Sequence, residues 1–420
     1  MKTASSALLT NVLAVGLGRE PFRCDLRLNL YERRVRTVAE PQTLTPDPEE
    51  IHYTTPEMWL TPGWVDMRAT VGQPGYEHRE TLDSLRKAAA AGGFTKVAVL
   101  PETHPPIADR ASVQWLRTPV PGRPELLPTA ALTTHPTGED LTEILDLHEA
   151  GAVAFTNGTR CLHQTALVIK ALRYLQTCNG LLVQFPQEPH LTAQAQLHEG
   201  VISTQLGMSG FPAVGESLIV ERDLRLLEYL GGRLHFSGVS TKESIAAIRS
   251  AKAQGLAVSC DVAAYQSSLS DSDVTDFDTH KKVIPPFRTA EHQEAIQEGL
   301  LDGTIDVIAS HHLPWHEEAK KLEFDRADFG IISLQTAAAT AWESWGKTLG
   351  KQNFVKKWTE NPRRLLGLKP PELKEGAPLD FTLFAPKIAW EFTPSENHSK
   401  SANTPFFGRR FHGKPLAAFM

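Results

Sequence analysis

From residue 60 to residue 345 the chain alternates short apolar runs with helical stretches, and this pattern narrows the possible folds more than any other feature. Trp64–Met67 reads as a strand and Thr81–Ala91 as a helix. Lys96–Leu100 is a buried strand of Val97, Ala98, Val99 and Leu100. The series continues with helix Leu141–Ala150, strand Ala152–Phe155, strand Leu181–Gln184, helix Ser217–Leu230 and strand Arg233–Phe236. Helix Lys242–Gln254, strand Ala257–Val262, helix Glu291–Leu301, strand Ile305–Ala309 and helix Gly330–Trp345 complete it. Repeated strand–helix units of this kind imply a parallel α/β fold. About eight units suit a (β/α)8 barrel. A doubly wound sheet is the alternative, weakened by the lack of a GxGxxG after the first strand.

The ends of the chain read differently. Leu8–Val15, Cys24–Leu30 and Arg33–Val38 are strand-like, with period-two alternation in Cys24–Leu30. Pro370-Pro371 stops the helical pattern, and Leu379–Leu383 and Phe406–Gly413 read as strands. The expected organisation is a small β domain from residues 1–60 plus 370–420, and a barrel over 61–369. Lys2 and the apolar residues behind it faintly imitate a signal peptide, but Thr10 and Asn11 interrupt the run, so a first strand is the preferred reading. No run reaches membrane-spanning length.

Net charge is −6, with acids and bases mixed, which excludes the basic footprint of a nucleic-acid binder. Cys24, Cys161, Cys178 and Cys260 form no CxxC pair, so neither a zinc ribbon nor a redox motif is indicated. Reduced thiols and a cytoplasmic location are expected.

Several segments, in order, resemble the dihydroorotases of the cyclic amidohydrolase superfamily. They are Thr61-Pro62-Gly63-Trp64-Val65-Asp66, Gln73-Pro74-Gly75-Tyr76-Glu77-His78-Arg79, Gly207-Met208-Ser209-Gly210-Phe211-Pro212, Ser240-Thr241-Lys242-Glu243, Ile284-Pro285-Pro286-Phe287-Arg288, Glu298–Asp306 and Asn361-Pro362. The resemblance implies a TIM-type amidohydrolase barrel with a composite β domain. It also implies one or two zinc ions that supply hydroxide and polarise a ring carbonyl. Zinc lowers the pKa of water from 15.7 to about 7, a difference of roughly 12 kcal/mol.

The positions that the resemblance assigns to metal ligands hold other residues here. Two ligand histidines of the first strand are replaced by Arg68 and Thr70. The bridging acid falls at Thr156-Asn157, the His-x-Glu at Phe185-Pro186-Gln187, and the next histidine at Gly238. A register slip at the middle strand would offer Gln184. In Ser310-His311-His312-Leu313-Pro314-Trp315, His311 occupies the place of the aspartate that serves as ligand and base. Glu102 stands where an asparagine is expected, Gly72 where a substrate-binding arginine is, and Ile284 where another asparagine is.

The expectation from this pattern is a catalytically silent chain without zinc. It resembles the inactive dihydroorotase-like subunit that associates with aspartate transcarbamoylase, which would make that enzyme its partner, and a homo-oligomer is also expected. One alternative is an active or divergent cyclic amidohydrolase acting on dihydroorotate with a relocated metal, using His311, His312, His316 and Asp261. Another is a carboxylate-metabolite sensor built on Arg68, with Glu102 and His312 as residual ligand contacts. The plainer expectations are an ion pair from Arg68 to Glu102 or Asp261, a surface loop carrying His311, His312 and His316, and His235 packed within the barrel wall.

Overall fold

The structure, a computed structural model, describes residues 5–18, 20–54, 57–134 and 140–420. Lys2, part of the signal-like segment, lies outside them. Eight parallel strands form one sheet in chain order: Trp64–Ala69, Phe94–Val99, Glu125–Ala131, Ala154–Thr156, Leu182–Gln184, Leu234–Phe236, Val258–Ala263 and Val307–Ala309. The sheet nearly closes. Between its last and first strands there is a parallel bridge, Ala69 to His312, and the Thr70 N–H donates to the His312 carbonyl at 2.8 Å. Asp66 reinforces this seam by accepting the Ser310 N–H at 2.7 Å and the Ser310 hydroxyl at 2.6 Å. The fold is thus a nearly closed parallel α/β barrel with an added β-sheet.

Every residue of the first strand is buried, as expected of a parallel strand covered on both faces. Helices lie between the strands. Leu82–Ala91 starts at a capping box in which Thr81 and Ser84 satisfy each other's backbone donors. Beneath the barrel, Trp64 stacks on Trp358 at 6.1 Å between ring centroids, and Phe94, Phe354 and Phe384 close around them.

The second sheet joins both ends of the chain. Strands Ser6–Ala14, Phe22–Asn29, Arg34–Ala39, Ile51–Tyr53 and Trp59–Pro62 combine with Phe381–Glu391 and Arg410–Phe419. The Trp59–Pro62 strand pairs antiparallel with Phe381–Glu391, which anchors the sheet beside the first barrel strand. Leu9, Leu26, Leu28, Leu60, Phe381 and Leu383 form its apolar face.

Three sequence expectations change. The helix expected over Gly330–Trp345 begins only at Ala337, because the N–H groups of Ser333 and Leu334 are spent on the ring of His312. The helix expected from Leu141 begins at Ile144, since Leu141 bridges to Thr133 and the Thr142 N–H donates to Leu132. Glu125–Ala131 is a barrel strand that the apolar pattern did not reveal. No helix among the described residues is long and apolar enough to cross a membrane.

Asp25 shows how one carboxylate holds the terminal sheet. It is fully buried and accepts N–H groups from Asn11, Gln42, Thr43 and Leu44 at 2.7–2.9 Å. Asn11 sits at a bulge with φ +52°. Burial pushes the Asp25 carboxyl up, but the four backbone donors outweigh it and hold it below the usual carboxylate range. Its contribution to stability is therefore present above about pH 4 and is lost as pH falls through the lowered value. Asp25→Asn is expected to cost at least about 2 kcal/mol at pH 7, because donors lose their acceptor. In urea unfolding at several pH values, the gap between wild type and variant should stay constant above about pH 5 and narrow below about pH 4. A gap independent of pH down to 3 would contradict this.

Candidate active site

The site lies where the barrel strands end, around Asp261 near the end of the seventh strand. His235 on the sixth strand donates Nε2–H to Asp261 Oδ2 at 2.9 Å and accepts the Ser259 hydroxyl at Nδ1, 2.8 Å away. Asp261 Oδ1 accepts the Gly238 N–H at 2.8 Å and His311 Nε2–H at 2.7 Å. All three side chains are buried. Burial pushes the Asp261 carboxyl up, yet the charge and hydrogen bonds of the two imidazoles hold it well below the usual carboxylate range. His311 moves down to about 4, chiefly through burial and next through the cation of Arg68, against the attraction of Asp261. At neutral pH the pair is thus a carboxylate and a neutral imidazole. The proton of His311 resides on Nε2, so Nδ1 carries a lone pair, and this buried Nδ1 has no partner. His311 also holds a φ of +54°, in the left-handed region.

Arg68 lies beside this group. Its Nη1 donates to the Ser237 hydroxyl at 3.1 Å and more weakly to the Ser237 carbonyl at 3.3 Å. The guanidinium stacks 4.6 Å from the centre of the Phe185 ring. Burial lowers its pKa, and the charges of Asp261 and Glu102 oppose that from beyond ion-pair range. The expected ion pair to Glu102 or Asp261 does not form. The two acids are already engaged: Asp261 accepts from both histidines, and Glu102 Oε1 accepts the Thr159 N–H at 3.0 Å and the Thr159 hydroxyl. Among the described residues no carboxylate lies within ion-pair distance of Arg68, which is only 4% exposed.

Gly238 brings these groups together. Its φ is +82°, and a Cβ there would sit 2.7 Å from His311 Cε1 and 3.4 Å from Arg68 Nη1. A side chain at that position is therefore incompatible with His311 as placed.

The remaining candidates fall nearby but are committed to other contacts. Asn157 Oδ1 accepts from Thr133, and Thr70 contributes its backbone to the seam. Gln184 bonds Leu162 and Asp223. His311 and His312 are buried, contrary to the surface-loop expectation, and no helix spans His312 to His316. His312 Nδ1 accepts the Ser333 N–H, and its Nε2–H donates to buried Glu80 at 3.2 Å. His235 packs inside the wall as expected, but it also supports Asp261. Sequence reasoning missed Asp66 and Ser237. Burial pushes the Asp66 carboxyl up to about 7, and the charge of Asp261 adds to the rise. The inward phase of Asp66 and Arg68, two apart on one strand, was the available signal.

A family model described as Dihydro-orotase-like matches residues 58–244. A curated dihydroorotase from Pelotomaculum thermopropionicum is 39% identical over 364 residues, 86% of this chain and 85% of that one. A dihydroorotase from Halalkalibacterium halodurans is 38% identical over 86% of this chain and 85% of its own. Another from Solibacter usitatus is 34% identical over 93% and 91%. Among solved structures, L-hydantoinase (dihydropyrimidinase) from Arthrobacter aurescens superposes with a TM-score of 0.82 at 20% identity, covering 98% of this chain and 93% of that one. D-hydantoinase (dihydropyrimidinase) from Thermus sp. gives 0.78 at 17%, covering 97% and 93%. At such identity these two speak for the fold.

These findings overturn the expectation of a catalytically silent subunit that is no enzyme, because curated relatives matching most of both chains carry an enzyme's name. The expectation that zinc is absent loses its ground as well. It was drawn from the replaced ligand positions alone, and the kinship is with dihydroorotases, which the resemblance associates with zinc. Whether zinc fits here is a question of donors. Among the described residues no group of three or more His, Cys, Asp or Glu is arranged to hold a metal ion. Asp261 has both oxygens occupied, and the guanidinium of Arg68 puts a fixed cation near it. The donors at these positions do not fit zinc, and no step below runs through a metal.

Gly238→Ala is expected to displace His311 and to weaken its bond to Asp261. The His311 ring resonances should shift, while the overall fold by circular dichroism should not. Unchanged ring resonances would contradict the packing described.

Proposed function

Because the chain belongs to the dihydroorotase-like family, we propose that it hydrolyses a carboxylate-bearing cyclic amide of the dihydroorotate type, and does so with a rearranged set of side chains. The observation that carries this reading is Arg68, a buried guanidinium with no carboxylate partner among the described residues. Burying a cation unpaired costs on the order of several kcal/mol. A substrate carboxylate would offset that cost, and arginine suits a carboxylate through its paired donors.

The second unmet group is His311 Nδ1. In ring opening it would take a proton from water as the water oxygen bonds to the ring carbonyl carbon. The C–N bond then breaks, and the imidazolium returns the proton to the leaving nitrogen. Atoms balance as one water added per ring opened. Asp261 orients the imidazole and stabilises its protonated form, as a buried acid does for a catalytic histidine elsewhere. Such proton transfer contributes typically about 10²–10⁴-fold. Asp66 and Ser310 hold the first strand against the last, which sets the position of Arg68 relative to His311.

The test is steady-state turnover of L-dihydroorotate and of N-carbamoyl-L-aspartate. Wild type should turn over. Arg68→Met should raise KM by about tenfold or more with a smaller effect on kcat, as expected for a lost charged hydrogen bond. His311→Gln should lower kcat by about 10²–10⁴-fold. Wild-type protein inert in both directions would sink the reading. Saturable binding of dihydroorotate without turnover would replace it with a carboxylate sensor.

A further inference from the structure

Arg79 stands on the rim of the barrel mouth, in the segment that follows the first barrel strand. Its guanidinium is clamped between two rings, 3.7 Å from the centre of Trp315 and 4.5 Å from that of Tyr76. Trp315 follows the last barrel strand, so the clamp closes across the seam that Asp66 and Ser310 hold. Its indole N–H donates to the Phe329 carbonyl at 2.8 Å, which fixes the ring. The backbone is fixed as well: the Arg79 N–H donates to the Tyr76 carbonyl at 2.9 Å, and the Arg79 carbonyl accepts the Ser401 hydroxyl at 2.7 Å.

The charge of Arg79 has no acid of its own. Asp328 and Glu102 act on it only from a distance, and among the described residues no carboxylate pairs with it. Nε is buried without a partner and is closed to any ligand. The two Nη groups differ. They too meet no acceptor among the described residues, but they are not sealed, and the residue is partly exposed. Unpaired charge and open donors therefore face solvent at the mouth. Stacking on aromatic faces holds a guanidinium without consuming its in-plane donors, which leaves the edge of the fork preorganised for a carboxylate.

Arg68 and Arg79 share a neighbour. The charge of Glu102 acts on both, and Glu102 itself reaches across the mouth to accept the Thr159 N–H at 3.0 Å. One guanidinium thus lies inside the barrel and one at its rim, and neither has a carboxylate bonded to it. Ring opening changes what they would face. A cyclic amide with one carboxylate is a monoanion. Adding water across its C–N bond turns the ring carbonyl into a carboxylic acid, which at a pKa of about 4 gives its proton to solvent at neutral pH. The opened product carries two carboxylates where the ring carried one.

We propose that Arg79 holds the carboxylate that ring opening creates, while Arg68 keeps the one already present. Arg79 is then a specificity residue that favours the open dianion over the closed ring. The inference rests on the ring-opening reading above.

The experiment is isothermal titration of the full chain, in a His311→Gln background that slows turnover, with L-dihydroorotate and with N-carbamoyl-L-aspartate at fixed ionic strength. Arg79→Met keeps an unbranched chain between the two rings. It should weaken N-carbamoyl-L-aspartate by about tenfold and leave L-dihydroorotate within about twofold. Arg79→Lys, which restores the charge, should recover part of the loss, and Arg68→Met should weaken both ligands. An Arg79→Met variant that binds the open dianion like its parent, or that loses both ligands equally, would overturn this inference alone. A parent protein that binds neither ligand would remove it together with the reaction it rests on.

Discussion

Asp261 sits buried at the ends of the barrel strands and collects three donors: His235 Nε2–H, the Gly238 N–H and His311 Nε2–H. Each donor comes from a different place in the barrel wall. An ionised carboxylate at this depth is tolerable only when its lone pairs are satisfied. The placement of His311 follows from that demand, including its left-handed backbone and the tautomer that leaves Nδ1 with a free lone pair. Gly238 follows too, because its N–H must approach Asp261 and a Cβ would strike His311.

Arg68 completes the electrostatics without completing the pairing. Burial, and after it the charge of Arg68, lowers the affinity of His311 for a proton, so the imidazole stays neutral beside an ionised acid. The donors of Arg68 meet Ser237, and its face meets Phe185. A cation, a neutral base and an ionised acid thus occupy the mouth of a barrel that the dihydroorotase family shares. Two of the three have an unmet polar requirement, and both requirements match a cyclic amide that carries a carboxylate.

The parallel barrel was legible from strand–helix alternation, and the family from ordered segments such as Thr61–Asp66 and Ile284–Thr289. The third strand was not, because Pro128 lies in its middle, and proline is rare in central strands. It is accommodated here between Val99 and the Val153 N–H, which donates to the Pro128 carbonyl. The helix after Gly330 was overread because tertiary hydrogen bonds to His312 outcompeted local propensity. At the site, residue identities showed which ligand types were missing. They could not show that Arg68 would lack an acid, since that depends on Thr159 and His235 having already claimed Glu102 and Asp261. Reading erased ligands as erased activity was the larger error, because it took no account of what replacements do together.

The most direct measurement is a crystal structure of the chain soaked with N-carbamoyl-L-aspartate. The account predicts a ligand carboxylate on the Arg68 guanidinium, with the ureido group or a water against His311 Nδ1. A ligand bound elsewhere, with Arg68 still on Ser237 and Phe185 alone, would contradict it.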